Sequence, residues 1–454
     1  QGCTSLKNVT ADLLSRANNK SYAAYTVQST FQDCASLITP PDISDKPYGT
    51  AASVFQSTFQ GCTSLADVSN VHIHFNDGGA STFQNMFNGC SSLTSLPSVG
   101  EKTITKATAS QFVGMFQRSG LVNARGIGIN ITNPSNVGQD CFYGTFAFCT
   151  NLQHGPYPMH IESGSTAVRY GHFRQMFDKC TTMTDCGQAE DGTRDFYINI
   201  IASADINNIC ARTFADCNSL VKGPDYFHIE NSTNIRKDSM CSEMFRNCYN
   251  LETVGDIESY VSISGTGSNV SVLDSMFTEC SKLQSGPATF NFAGTSGNYS
   301  CRSTFNNCTS MTTMGENSFI INPTNAPTCA FMSMFFNCKS LEHGPTLTVD
   351  VVTVLAQAFM SMFYYCESLE DVPGSISVSD TINNQAFQQM FMMEWDSSSG
   401  VYHTNLKTVP SLSLTGASVG NKACTQMFGN CVLAEIDGSV ITLGATTLGT
   451  ECYK

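Results

Sequence analysis

Apolar positions in this chain recur in one short phrase: a phenylalanine, a cysteine three residues on in most copies, and usually a leucine or methionine three further. The anchors are Phe31, Phe59, Phe87, Phe116, Phe146, Phe177, Phe214, Phe245, Phe277, Phe305, Phe335, Phe363, Phe391 and Phe428, 28 to 37 residues apart. Four residues before each anchor stands a large apolar residue or cysteine, such as Phe55, Phe112, Cys241 or Phe359. The residue just before the anchor is always Met or Thr. Offsets of −4, −1, 0 and +3 match the i, i+3, i+4, i+7 spacing of one helix face. The spacing predicts a short helix at the start of every unit.

A turn rich in Gly and Pro follows, as at Gly155-Pro156 and Gly344-Pro345. The apolar period then drops to two. Val71, Ile73 and Phe75 alternate with His72 and His74, and the same pattern fits Ile129/Ile131, Met159/Ile161, Ile198/Ile200, Phe227/Ile229, Val261/Ile263, Leu347/Val349 and Ile376/Val378. Such alternation marks half-buried strands, one per unit. Units of about thirty residues that each bury one apolar face stack as a solenoid. The expected fold is an α/β solenoid, a leucine-rich-repeat-like stack of about 15 helix–turn–strand units with a parallel β ladder. Helix axes need about 8–10 Å and strands about 4.8 Å, so the strand face should be concave.

The phrases MFNGCSSLTSLP (86–97) and MFYYCESLEDVP (362–373) resemble the BspA-type leucine-rich repeats. The likeness is to the Met-Phe variant found in many bacterial surface lipoproteins and some protist surface proteins. It recurs over nearly the whole chain. The resemblance implies extracellular adhesion and ligand binding, and it brings no catalytic motif. The units here are longer than the family's usual ones, with extra residues between the leucine and the strand.

The phrase recurs from end to end, so residues 1–454 are expected to form a single elongated array. Gly2-Cys3-Thr4-Ser5-Leu6 repeats Gly61-Cys62-Thr63-Ser64-Leu65, so the chain starts inside a phrase, and Gly449–Cys452 ends inside one. The expectation is an uncapped slice of a longer solenoid, or one whose ends meet other chains. Only 13% of residues are charged and the net charge is −14, which argues against nucleic acid and anionic membranes as partners. No apolar run approaches the roughly 20 residues of a membrane span.

Of the 21 cysteines, most hold the register place three after the anchor. At helix spacing they would stand too far apart to bridge, so buried free thiols are expected. Cys141, Cys186 and Cys329, which lie off that register, are better placed for an occasional disulfide. No zinc-type spacing occurs, and no cofactor is expected.

Enzyme signatures are missing: there is no Gly-x-Ser-x-Gly, P-loop, dinucleotide fingerprint or His-Glu-x-x-His. The outward strand positions are mostly Ser, Thr and Asn. One stretch differs, where Tyr197, Tyr226 and Tyr260 are expected to form an aromatic column with His160 and His228 in the next column. Such rings suit a glycan or protein ligand, although stacked tyrosines also simply stabilise strands. Two insertions break the period. Asp185 to Asp195 adds Glu190 and Asp191, a solvated acidic loop rather than calcium ligands, since the spacing fits no EF-hand. The other carries Trp395, the only tryptophan, which could anchor a partner or cover a gap in the core. The expected function is a non-catalytic, extracellular binding or adhesion solenoid. The alternative is a structural subunit that stacks head to tail in a filament or surface appendage.

Overall fold

The computed structural model describes residues 2–9, 23–43, 49–101, 103–163, 170–202, 206–231, 237–255, 260–265, 270–314, 318–393, 395–396, 401–402, 406–415, 418–431, 441–444 and 447–452. The chain is a parallel β-solenoid of about ten turns with almost no helix. The α/β stack of fifteen helix-bearing units does not form. Among the described residues the helical element is a 3-10 turn at Pro134–Asn136.

Two compact units divide the chain: Gln1–Ile200 with Asn208–Asp225, and Ile201–Asn207 with Tyr226–Lys454. In the first, β1 (His72–His74) pairs with β2 (Ser98–Glu101). A parallel ladder there runs through β3 (Thr103–Ile104), β4 (Gly128–Ile131), β5 (Met159–Ser163) and β6 (Phe196–Ala202). In the second, β7 (Ile206–Asn207) pairs with β9 (Lys237–Asp238). Its main parallel ladder comprises β8 (Tyr226–Asn231), β10 (Tyr260–Gly265), β11 (Thr289–Gly294), β12 (Ser318–Ile321), β13 (Thr346–Val354), β14 (Gly374–Ile382), β17 (Ser411–Leu414) and β19 (Ile441–Leu443). Beside it, β18 (Ser418–Val419) pairs with β14 and with β20 (Thr447–Leu448). A small antiparallel hairpin joins β15 (Trp395–Asp396) to β16 (Val401–Tyr402).

The segment around each phenylalanine anchor is a wall of serial turns, and its backbone explains why no helix forms. Every fourth residue enters the left-handed region: Ser53, Ser57 and Gly61 around Phe59 have φ of 54°, 54° and 75°. The hydrogen bonds alternate accordingly. The N–H groups of Gln56, Thr58, Gln60 and Cys62 donate to carbonyls three residues back, whereas those of Phe55, Ser57, Phe59 and Gly61 donate to Thr82, Gln84, Met86 and Asn88 of the next coil. Side chains follow a period of four, two in and two out: Val54 and Phe55 are buried, Gln56 and Ser57 half-exposed, Thr58 and Phe59 buried again. Offsets −4 and 0, and −1 and +3, are each four apart. Over so short a phrase, periods of 3.6 and 4 select the same positions.

A left-handed conformation costs a non-glycine residue about 1–2 kcal/mol. None of the non-glycine residues that adopt it here is Val, Ile or Thr, whose branched Cβ makes that region worst. The anchors stack ring on ring between coils, from Phe31 to Phe214 in the first unit and from Phe245 to Phe428 in the second, with centroids 5.2–5.6 Å apart and nearly parallel planes. Within each unit the turn wall therefore repeats at nearly the strand spacing. The reason for a concave strand face, wide helices opposite narrow strands, disappears.

The register cysteines are thus closer than helices would hold them, and another interaction occupies their thiols. Most donate to the anchor carbonyl of the preceding coil: Cys62 Sγ to Phe31 O at 3.0 Å, Cys308 to Phe277 at 3.2 Å, Cys366 to Phe335 at 3.0 Å. All 21 cysteines are unbridged, including Cys141, Cys186 and Cys329, which are buried. Threonine before the anchor plays a similar part, since Thr58 Oγ1 lies within 3.0 Å of Val27 O in the coil before and within 2.9 Å of Phe55 O in its own.

The turn wall predicts a substitution pattern opposite to that of a helix. Ser333, with φ of 54°, should tolerate Gly within about 1 kcal/mol, whereas Ser333→Val should cost about 1–2 kcal/mol. Denaturant unfolding of both variants checks this, and equal stabilities would rule out the left-handed step. A second expectation concerns acid. His172 is buried in the first unit, edge-on to Phe173, and burial lowers its pKa from 6.5 to about 4. The unfolded chain therefore takes up a proton first. Stability is fully present above pH 6.5, falls as the pH drops towards 4, and loses of the order of 3 kcal/mol in all. Replacing His172 by Gln should flatten that part of the stability–pH curve.

Candidate functional site

The outward strand positions place the predicted rings on two patches, one in each unit. In the first, His160 of β5 stands in register with Tyr197 of β6, and their rings stack at 4.1 Å with an interplanar angle of 8°. Carboxylates flank the imidazole: Glu162 Oε1 lies 3.7 Å from Nε2 and Asp195 Oδ1 lies 3.7 Å from Nδ1. In the second unit Tyr260 of β10 stands in register with His228 of β8, with rings 4.9 Å apart. Tyr226 Oη is 3.3 Å from His228 Nδ1, and Glu230 Oε2 is 3.4 Å from His228 Nε2.

The expected column of Tyr197, Tyr226 and Tyr260 is therefore corrected. Tyr260 sits against His228, two residues along β8 from Tyr226, so histidine and tyrosine share a column. The slip has a simple origin. Tyr226 follows its anchor by 12 residues, His228 by 14 and Tyr260 by 15, so counting from the anchors already sets Tyr260 nearer to His228 than to Tyr226. The rings remain half-buried by one another.

Trp395 pairs through its backbone with Tyr402 in the hairpin of β15 and β16. Its side chain, with Glu394 and His403, lies outside the described residues.

Sequence reasoning missed a polar network in the first unit. Asp185, buried, receives both contacts of Arg125 Nη2 at 3.1 Å, His154 Nδ1 at 2.6 Å and Thr184 Oγ1 at 3.2 Å. Its position explains the meeting. Asn123, His154 and Asp185 are bridged in succession at the corner after the turn wall, the last two each eight residues after an anchor. His343 and Asp371 repeat the pair in the second unit at 2.8 Å. An offset that brings histidine above aspartate in two places was the available signal. The insertion after Asp185 folds into a hairpin closed by a Gln188–Arg194 bridge. Its Glu190 and Asp191 are exposed at the tip. Among the described residues no group of three or more His, Cys, Asp or Glu could hold a metal ion.

The buried thiols offer no nucleophile. Burial pushes Cys149 up to about 11 and Cys366 up to about 12, so both are protonated at neutral pH and shielded from reagents.

No family model matches this chain, and no curated protein does. Two solved structures are similar to it. One is a leucine-rich repeat protein from Bacteroides ovatus, at 16% identity and a TM-score of 0.38, covering 100% of this chain and 78% of that one. The other is a leucine rich cell surface protein from Faecalibacterium prausnitzii, at 15% identity and a TM-score of 0.23, covering 84% of this chain and 75% of that one.

The Asp185 network should be structural. Asp185→Ala leaves Arg125 and His154 without their shared carboxylate, and breaking such a pair costs roughly 3 kcal/mol. Thermal unfolding of the variant is the measurement, and an unchanged midpoint would show the network to be idle.

Proposed function

We propose that this chain is a non-catalytic repeat protein displayed at a cell surface, where its strand face binds a glycan or protein ligand. The observation that carries the reading is the pair of histidine–tyrosine stacks, His160 on Tyr197 and His228 on Tyr260, each edged by carboxylates. Many other outward positions are short and polar, as in the Ser375, Ser377, Ser411 and Ser413 face of β14 and β17. Flat rings offer contact area at little entropic cost, and the imidazole and carboxylate edges supply directional hydrogen bonds for sugar hydroxyls or peptide groups. Among the described residues no helix is long and apolar enough to cross a membrane.

The reading is tested by screening the protein against glycan and extracellular-matrix arrays, then titrating the best ligand. Tyr197→Ala and Tyr260→Ala should each weaken binding by about 1–2 kcal/mol, five- to thirtyfold, while the unfolding midpoint changes little. Undiminished binding by the double variant would remove the strand face as the binding surface.

A further inference from the structure

The Asp185–Asp195 insertion builds a cavity as well as a loop. A half-open hollow of about 310 Å³ lies between the hairpin and the corner of the following coil, lined by Thr184, Asp185, Gln188, Arg194, Val221 and Lys222. Its walls are fixed. Arg125 Nε donates to the Gln188 carbonyl at 2.8 Å and its Nη2 holds Asp185. Arg194 is pinned by Asp225 Oδ1 at 2.8 Å through Nε and by Gly223 O at 2.9 Å through Nη2. Val221 N–H donates to Thr184 O.

Among the lining residues one cation is left over. Asp185 is consumed by Arg125 and His154, and Arg194 by Asp225. Lys222, exposed on the rim, pairs with no carboxylate among the described residues. The Gln188 side-chain amide and Arg194 Nη1 likewise have no hydrogen-bond partner there. Five of the six lining residues are polar, whereas pockets for apolar ligands are mostly hydrophobic. The volume stands at the small end of ligand sites, which begin at about 300 Å³. A hollow of this size and lining suits a small, polar ligand with one negative charge.

We infer that this hollow is a binding site for a single hexuronate residue. Lys222 and the Nη1 corner of Arg194 would take its carboxylate. The Gln188 amide and Thr184 would take ring hydroxyls, and Val221 would meet the ring's C–H face. With a net charge of −14 the protein does not attract anions at long range, so recognition depends on these contacts. The lining shares no residue with the histidine–tyrosine stacks.

The test is titration of the whole chain with sodium galacturonate, with galactose as its neutral counterpart and sodium glutamate as a carboxylate on a different frame, followed by calorimetry and ligand-observed NMR. Galacturonate should bind saturably with a dissociation constant in the millimolar range, at least tenfold more tightly than galactose or glutamate. Lys222→Met should weaken it about tenfold with the unfolding midpoint unchanged, Gln188→Ala should weaken it further in combination, and Tyr260→Ala should leave it as it was. Absence of saturable galacturonate binding, equal affinity for galactose or glutamate, or an unaffected Lys222→Met variant would each overturn the assignment.

Discussion

Everything in this chain depends on how the turn wall divides its backbone hydrogen bonds. Half of its N–H groups close turns within a coil and half reach to the next coil. Buried peptide groups must be paired, and this alternation pairs them on the side of the solenoid where other repeat proteins place helices. The consequence is a common spacing. Because the turn wall and the strand ladder step by nearly the same distance, identical side chains fall on one another: phenylalanine on phenylalanine, and glutamine on glutamine, as in Gln28, Gln56 and Gln84 at 2.9 and 3.1 Å.

The strands were legible in the sequence. Val71 to Phe75, Phe227 with Ile229 and Leu347 to Val351 all belong to strands or their flanks, because a half-buried strand writes its period directly into side-chain polarity. The helices were misread for a reason equally physical. Phe55, Thr58, Phe59 and Cys62 suit a helical stripe and a four-residue step alike, and the residues that separate the two cases are those in the left-handed places between them. Ser53, Ser57 and Gly61, or Ser271, Ser275 and Glu279, occupy left-handed places and avoid branching at Cβ. That avoidance was visible, but only at positions where polarity carries no information.

The candidate sites divide in the same way. Which rings faced outward could be read from alternation, and His160, Tyr197, His228 and Tyr260 do lie on that face. Which ring met which was legible only in part, since corner lengths differ between coils and a two-residue slip replaces a tyrosine pair by a histidine–tyrosine pair. The Arg125–Asp185–His154 network escaped because its members are 60 and 31 residues apart, and only the stacking of coils brings them together.

The direction of the inter-coil bonds has a mechanical meaning. Within a unit they run parallel to the stacking axis. A force that separates whole coils must break all the bonds of one cross-section together. A force applied to a loose strand of the chain peels them one after another. Resistance to such loading is governed by the unfolding rate rather than by equilibrium stability, and neighbouring repeats are coupled only to each other. The same molecule is thus stiff under tension spread across its section and yields coil by coil when pulled by a thread, dissipating work at each step.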